Sequence, residues 1–172
     1  MGYPVVLVMG VAGCGKSTIG SMVAHRTGWP FADADDMHPA ANVAKMRAGQ
    51  PLTDQDRWPW LDDVAGWIAA RHGAGEPGVI ACSALKRAYR DRLRLADPGL
   101  RVVFLDVSRA TLVKRLSHRP GHFFPGTLID TQLADLERPT PDEHAVTVPM
   151  RQSPDRVVDA ILADLGHPEA GR

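Results

Sequence analysis

A glycine-rich segment near the amino terminus carries the clearest chemical signal. Residues 10–17 read GVAGCGKS and match the pattern G-x-x-x-x-G-K-[ST] in full. Glycines let such a loop adopt backbone conformations that other residues avoid, so that its N–H groups can converge on an anion. In this pattern Lys16 reaches the β- and γ-phosphates of a nucleotide, and the Ser17 hydroxyl binds Mg²⁺. The predicted nucleotide-binding residues are Gly10, Ala12, Gly13, Cys14, Gly15, Lys16, Ser17 and Thr18.

Two carboxylates follow at the end of the next strand-like segment. Asp33 and Asp35 lie in the run FADAD. In a doubly wound sheet the carboxyl ends of the strands border the ligand crevice, so both side chains could face the γ-phosphate. One could hold Mg²⁺ while the other orients or deprotonates an attacking hydroxyl. A solvated acidic turn that includes Asp36 is the open alternative.

Cations recur at helical spacing further along the chain. Lys86 and Arg90 lie one turn apart on a predicted helix, and their shared face could meet an anionic substrate. Arg115 and Arg119 are again four residues apart, beside a loop at 118–126 that is rich in glycine, proline and aromatic residues. Cations there suit a lid that closes during phosphoryl transfer. A basic helix end that complements the helix dipole is the alternative for Arg115.

The run LTDQDRWPW holds a third set of charges. Arg57 could pair with a carboxylate or phosphate, beside Asp54 and Asp56. The competing interpretation is a helix start, where aspartates favour the helix dipole.

Strand-like and helix-like segments alternate, which predicts an α/β fold with a five-stranded parallel sheet and helices on both faces. The loop motif falls between a strand and a helix, and this context favours phosphate binding over a chance match. No repeat or linker is visible, so we expect a single domain over residues 1–172. The predicted strands are 4–9, 29–34, 79–82, 101–106 and 145–149, and the predicted helices are 16–27, 39–49, 56–72, 84–96, 109–117, 128–137 and 154–165.

Composition excludes several classes of protein. The chain is 44% hydrophobic, and its 20 basic residues balance 20 acidic ones, so the basic excess of a nucleic-acid binder is missing. Val5–Met9 is too short for a signal core or a membrane span, and we expect a cytoplasmic protein without membrane contact. Cys14 and Cys82 form neither a disulfide framework nor a metal site.

Four sequence blocks resemble the gluconokinases of the small P-loop type, which are relatives of shikimate and adenylate kinases. The blocks are GVAGCGKST, DADDMHPAANVAKMRAGQPLTDQDRWPWL, CSALKRAYRDRLR and RPGHFF, and the resemblance runs from about Val6 to about Glu137. It implies a three-layer P-loop kinase fold with a mobile lid at approximately 118–126. It also implies transfer of the γ-phosphoryl group of ATP, with Mg²⁺, to the 6-hydroxyl of D-gluconate, and the homodimer common among relatives.

The resemblance implies roles for individual residues. Asp35 matches the base or orienter of the acceptor hydroxyl, with Asp33 nearer the metal. Arg115 corresponds to an adenine-stacking arginine and Arg119 to the lid arginine. The implied contacts to gluconate or the γ-phosphate are His38, Arg57, Lys86, Arg90, His122 and Gln132. The chain departs from the family at Ala34, where relatives commonly have glycine, and it agrees only loosely after Leu136.

Two other functions compete with this interpretation. A kinase of another small acceptor, such as shikimate or a nucleoside monophosphate, would carry the same loop. A nucleotide-binding switch or plain ATPase would bind nucleotide without an acceptor, but the chain lacks the N/T-K-x-D motif of guanine specificity.

Overall fold

A five-stranded parallel sheet forms the middle of the computed structural model, which describes residues 3–117 and 126–168. The strands lie in the order β2-β3-β1-β4-β5, and each neighbouring pair is parallel. The central strand is wholly buried, as its unbroken apolar run predicts. The strands are β1 (Val5–Met9), β2 (Phe31–Asp33), β3 (Gly78–Ala81), β4 (Arg101–Asp106) and β5 (Ala145–Pro149).

Helices cover both faces of the sheet. Side chains alternate along β1, so that Val6 and Val8 pack into one core while Leu7 and Met9 pack into the other. The first core also takes side chains from α1, α5, α6 and α7, and the second from α3 and α4. This arrangement confirms the predicted three-layer α/β fold. The helices are α1 (Lys16–Thr27), α2 (Ala40–Arg47), α3 (Asp54–Gly73), α4 (Arg87–Ala96), α5 (Arg109–Ser117), α6 (Gly126–Asp135) and α7 (Pro154–Leu165).

Local capping explains where two helices begin. The Thr53 hydroxyl accepts a hydrogen bond from the Asp56 N–H, and the Asp56 carboxylate accepts one from the Thr53 N–H. This capping box starts α3 at Asp54, two residues before the predicted start. Ser108 caps α5 as predicted, since its hydroxyl accepts from the Thr111 N–H.

The strand register brings two segments of the predicted site together. Asp33 of β2 pairs with Ala81 of β3, and Ala81 pairs with Val8 of β1. The end of β2 therefore lies at the same edge of the sheet as the end of β1, where the glycine-rich loop begins.

The predicted lid falls almost wholly on residues 118–125, which lie outside the described ranges. Its predicted residues Arg119 and His122 are therefore outside them as well. Among the residues that the structure describes, no helix has the length and apolar character needed to span a membrane.

Candidate active site

The glycine-rich loop connects β1 to α1 and has the backbone that an anion cradle needs. Gly13 and Gly15 have φ angles of 81° and 97°, in the left-handed region that favours glycine. Gly15 directly precedes α1, so the loop N–H groups and the positive end of the helix dipole share one location. Lys16 is only 8% exposed at the start of α1, and Thr18, two residues later, is exposed. A side chain at Gly10 would collide with Cys14, because an added Cβ would lie 2.6 Å from its Sγ.

An oxygen-rich corner joins this loop to the end of β2. The Ser17 hydroxyl donates a 2.6 Å hydrogen bond to Asp33 Oδ2, and Asp33 Oδ1 accepts from the Asp35 N–H at 3.0 Å. A hydroxyl and a carboxylate are hard oxygen donors of the kind that Mg²⁺ prefers. Magnesium in phosphate sites takes one or two protein ligands together with phosphate oxygens and water, so these two side chains fit it. No cluster of three or more potential metal ligands occurs among the described residues.

A cavity of about 540 Å³ opens beside the loop and this corner. It brings together predicted site residues from four separate segments of the chain. The predicted site residues that line it are Ala12, Lys16, Asp35, His38, Arg57 and Gln132. The other lining residues are Met46, Gly49, Gln50, Pro51, Leu52, Trp60, Ser83, Leu128, Thr131 and Asp135.

His38 is held flat against an aromatic wall of the cavity. Its ring stacks on Trp60 with centroids 4.2 Å apart, and the Trp60 indole N–H donates to the Ala34 carbonyl oxygen at 2.7 Å. Burial lowers the pKa of His38, and Arg57 lowers it further while Asp35 opposes the shift. The imidazole is therefore neutral near pH 7 and can both donate and accept a hydrogen bond.

Two contacts tie other segments to the glycine-rich loop. The Ala12 N–H donates to Gln132 Oε1 of α6 at 2.5 Å, so the side chain predicted to contact the acceptor lies directly against the loop. The Arg115 guanidinium donates to the Cys14 carbonyl oxygen at 3.2 Å. Arg115 thus lies against the loop and does not line the cavity.

The chain is similar in sequence to known small-molecule kinases. The family model of shikimate kinases matches residues 12–165. A gluconokinase of Gluconobacter oxydans is 45% identical over 157 residues, which make up 91% of this chain and 88% of that protein. The chain belongs to the gluconokinase family.

Solved structures agree with the family. The crystal structure of a gluconokinase from Sinorhizobium meliloti 1021 is 45% identical and matches with a TM-score of 0.88, over 95% of this chain and 92% of that one. A sugar kinase from Janibacter sp. HTCC2649, in an unliganded crystal structure, is also 45% identical and matches with a TM-score of 0.90, over 98% and 97% of the two chains. These similarities make the chain a P-loop kinase of the gluconokinase family, and kinases of this kind use a nucleotide.

One prediction for this gluconokinase-family chain is wrong. Arg90 was expected to share a ligand-facing side of a helix with Lys86, but it is fully buried. Its guanidinium pairs with Glu143 at 2.6 Å and donates to the carbonyl oxygens of Ala84, Leu85 and Glu137. All three guanidinium nitrogens thereby donate hydrogen bonds inside the protein, and none is available to a substrate.

The reason lies in where α4 begins. Lys86 is the residue before the helix and has extended backbone angles, φ −99° and ψ 145°. The rule that residues four apart share a face holds only within a helix, so the two side chains diverge. Lys86 turns to Asp54, with Nζ 3.1 Å from Oδ1, and does not line the cavity.

Sequence reasoning also missed a tyrosine beside the cavity. The Tyr89 hydroxyl accepts a 3.0 Å hydrogen bond from Arg57 and itself donates to Asp54. The sequence feature that could have indicated Tyr89 is its position three residues after Lys86, within the block CSALKRAYRDRLR that resembles the gluconokinases.

Proposed function

We propose that this protein transfers the γ-phosphoryl group of ATP to the 6-hydroxyl of D-gluconate, giving 6-phospho-D-gluconate and ADP. One observation carries the proposal: a single cavity joins the phosphate-binding Lys16 to a carboxylate, Asp35, and to an arginine, Arg57. The reaction needs a residue that binds the phosphate donor, a base for the acceptor hydroxyl and a cation for the acceptor carboxylate. Membership of the gluconokinase family gives the same answer independently.

On the nucleotide side, the loop N–H groups and Lys16 bind the β- and γ-phosphates. Ser17 and Asp33 would hold Mg²⁺, which when bound neutralises charge on the transferring phosphoryl group. Lys16 is largely shielded from water, and shielding strengthens its attraction for the phosphate oxygens. Arg115, beside the loop, is proposed to stack on the adenine ring.

On the acceptor side, Asp35 orients the 6-hydroxyl for in-line attack and accepts its proton as the new O–P bond forms. Arg57 pairs with the carboxylate at the other end of gluconate. His38 and Gln132 donate or accept hydrogen bonds along the row of hydroxyls. A cavity of about 540 Å³ falls within the range of small-molecule sites.

The lid and the assembly complete the proposal. Arg119 is proposed to stabilise charge during transfer, and His122 to contact the acceptor, as the lid at residues 118–126 closes and excludes water. A single catalytic domain and a homodimer remain predictions. We place the reaction in the cytoplasm, where ATP is supplied and where thiols such as Cys14 and Cys82 stay reduced.

Coupled assay of ADP release tests the proposal. ATP and Mg²⁺ are supplied with D-gluconate, with shikimate or with nucleoside monophosphates, and shikimate is included because the matching family model is that of shikimate kinases. We expect strong stimulation by gluconate alone, and none in the Lys16→Ala variant. Stimulation by another acceptor, or ADP release that ignores added gluconate, would refute the assignment.

A further inference from the structure

Four polar side chains from two segments meet beside the cavity, which one of them, Arg57, lines. Asp54 and Arg57 come from the first turn of α3, Lys86 directly precedes α4, and Tyr89 lies in the first turn of α4. The Tyr89 hydroxyl donates to Asp54 Oδ1 and accepts from Arg57 NH1 at 3.0 Å. Lys86 Nζ lies 3.1 Å from the same carboxylate oxygen. We call these four residues the rim cluster.

We propose that Tyr89 and Asp54 are positioning residues that hold the Arg57 guanidinium in the orientation in which it binds the carboxylate of the acceptor. The inference rests on the proposed function, because it takes a sugar acid as the acceptor. It assigns to the rim cluster a role in the affinity for the acceptor and none in the transfer step.

Protonation fixes the direction of each hydrogen bond in the cluster. Burial raises the pKa of Tyr89, and the bond to Asp54 raises it further, so the phenol keeps its proton at neutral pH. Hydrogen bonds from Tyr89 and Lys86 lower the pKa of Asp54, so its carboxylate is ionised. Tyr89 must therefore donate to Asp54, and its oxygen lone pair is left to accept from Arg57.

Among the described residues, the hydrogen bond and the ion pair of Arg57 both use one nitrogen of its guanidinium. Both its hydrogen bond to Tyr89 and its 3.8 Å contact with Asp54 use NH1. Its Nε and NH2 form no hydrogen bond with any residue in the described part of the chain, and the side chain lines the cavity. The Nε–NH2 edge of a guanidinium matches the two oxygens of a carboxylate, so the tether leaves the binding edge available.

Charge in the cluster favours an anion. Arg57 and Lys86 are cationic and Asp54 is anionic, so the cluster carries one net positive charge next to the cavity. A long arginine side chain has several torsions, and fixing them before the acceptor arrives removes part of the entropic cost of binding. The tether should therefore raise affinity for the acceptor carboxylate.

The ring of Tyr89 has a separate, structural role. Only 3% of the residue is exposed, and the ring packs edge-on against Trp58 with centroids 5.5 Å apart. Phenylalanine keeps this packing and removes only the hydroxyl, so Tyr89→Phe isolates the tether from the core. The chain provides a matched control in Tyr3→Phe, since Tyr3 contacts Trp29 and His167 and lines no part of the cavity.

Steady-state kinetics of Tyr89→Phe test the inference. We expect the KM for gluconate to rise on the order of tenfold, the effect of losing a hydrogen bond to a charged group. The kcat and the KM for ATP should stay within about twofold of wild type, because the tether acts on binding of the acceptor alone. Asp54→Asn should shift the same constant in the same direction, and Tyr3→Phe should shift none.

Repeating the Tyr89→Phe substitution in an Arg57→Met protein separates positioning of Arg57 from any independent effect of the Tyr89 hydroxyl. In an Arg57→Met protein there is no guanidinium to hold, so adding Tyr89→Phe should change the KM for gluconate by less than about twofold. Equal effects of Tyr89→Phe in both backgrounds, or an unchanged KM in the wild-type background, would overturn the inference. A fall in kcat with a lower melting temperature and unchanged KM would also overturn it, because that outcome marks a purely structural role.

Isotope-edited NMR of the ligand-free protein keeps this test separate from the proposed function. Rotation of the Arg57 guanidinium about its Nε–Cζ bond should be slow in wild type and faster in Tyr89→Phe. Equal rotation rates would overturn the tether whatever the acceptor is. Failure of wild type to phosphorylate gluconate would instead refute the proposed function, and the kinetic comparison would then use the acceptor that the wild type does phosphorylate.

Discussion

Asp35 is exposed at the wall of the cavity that Lys16 and Arg57 also line. Its backbone N–H is anchored to Asp33, so the side chain projects from a fixed turn. An amide at this position would keep the shape of the side chain but could not accept a proton. We therefore expect Asp35→Asn to lower kcat by about 10² to 10⁴, the range for general-base catalysis, with little change in ATP affinity.

Kinetics and ATP binding of the Asp35→Asn variant check this prediction together. Asp36→Asn is the matched control, since Asp36 lies next to Asp35 and does not line the cavity. Loss of ATP affinity with normal turnover of the bound complex would contradict the role given to Asp35.

Ser17 and Asp33 form a hydrogen-bonded pair at the proposed Mg²⁺ site. Their 2.6 Å hydrogen bond orients the hydroxyl that would bind Mg²⁺. Asp33→Asn keeps an acceptor oxygen but removes the negative charge, so we expect the Mg²⁺ concentration for half-maximal activity to rise by about tenfold to a hundredfold. Titration of activity against free Mg²⁺ measures this shift, and an unchanged half-maximal concentration would place the metal elsewhere.

At the scale of elements, α4 is joined to the carboxyl-terminal part of the chain by a buried ion pair. Arg90 and Glu143 have no exposed side-chain surface, and Arg94 also contacts Glu143 at 3.2 Å. Removing Arg90 takes away the main partner of the fully buried Glu143 carboxylate and leaves it the weaker contact with the partly exposed Arg94. We expect Arg90→Met to lower the free energy of unfolding by about 3 to 5 kcal/mol.

Urea unfolding measures this loss of stability. Arg92→Met is the control on the same helix, because the ion pair of Arg92 with Asp62 is half exposed and should contribute less than about 1 kcal/mol. The double variant Arg90→Met/Glu143→Leu should be more stable than Arg90→Met, since it buries no unpaired charge. A single variant as stable as the double one would contradict the argument.

Much of this element structure could be predicted from the sequence, because it depends on local rules. The apolar run of β1, the glycine-rich loop and the cap at Ser108 each indicate an element from adjacent residues alone. The inward turn of Arg90 could not be predicted, because its partner Glu143 lies 53 positions away and only the folded chain brings the two together. Tyr89 was missed for the same reason, since its partners lie on another helix.

For the whole molecule, the buried ion pair links stability to pH. Burial alone would raise the pKa of Glu143, but hydrogen bonds from Arg90, the Thr140 N–H and Arg94 outweigh burial and lower it to about 2. The ordinary value of this carboxyl is 4.5, so the unfolded chain takes up its proton first as the pH falls. The contribution of Glu143 to stability is therefore complete above that value and is lost as the pH falls towards about 2.

Urea unfolding at a series of pH values tests this linkage. Wild type should lose stability steeply across the acid range, and Glu143→Gln should start less stable and show a flatter dependence. Parallel profiles for the two proteins would show that other carboxyl groups control acid unfolding.

In the proposed reaction, the protein transfers a phosphoryl group from ATP to the 6-hydroxyl of gluconate. Phosphorus NMR of the reaction product tests it most directly, because a 6-phosphate couples to the two methylene protons at carbon 6. We predict one new phosphate monoester with this coupling, formed by wild type and missing with Lys16→Ala. Inorganic phosphate as the only new signal, or an ester coupled to a single proton, would contradict the account.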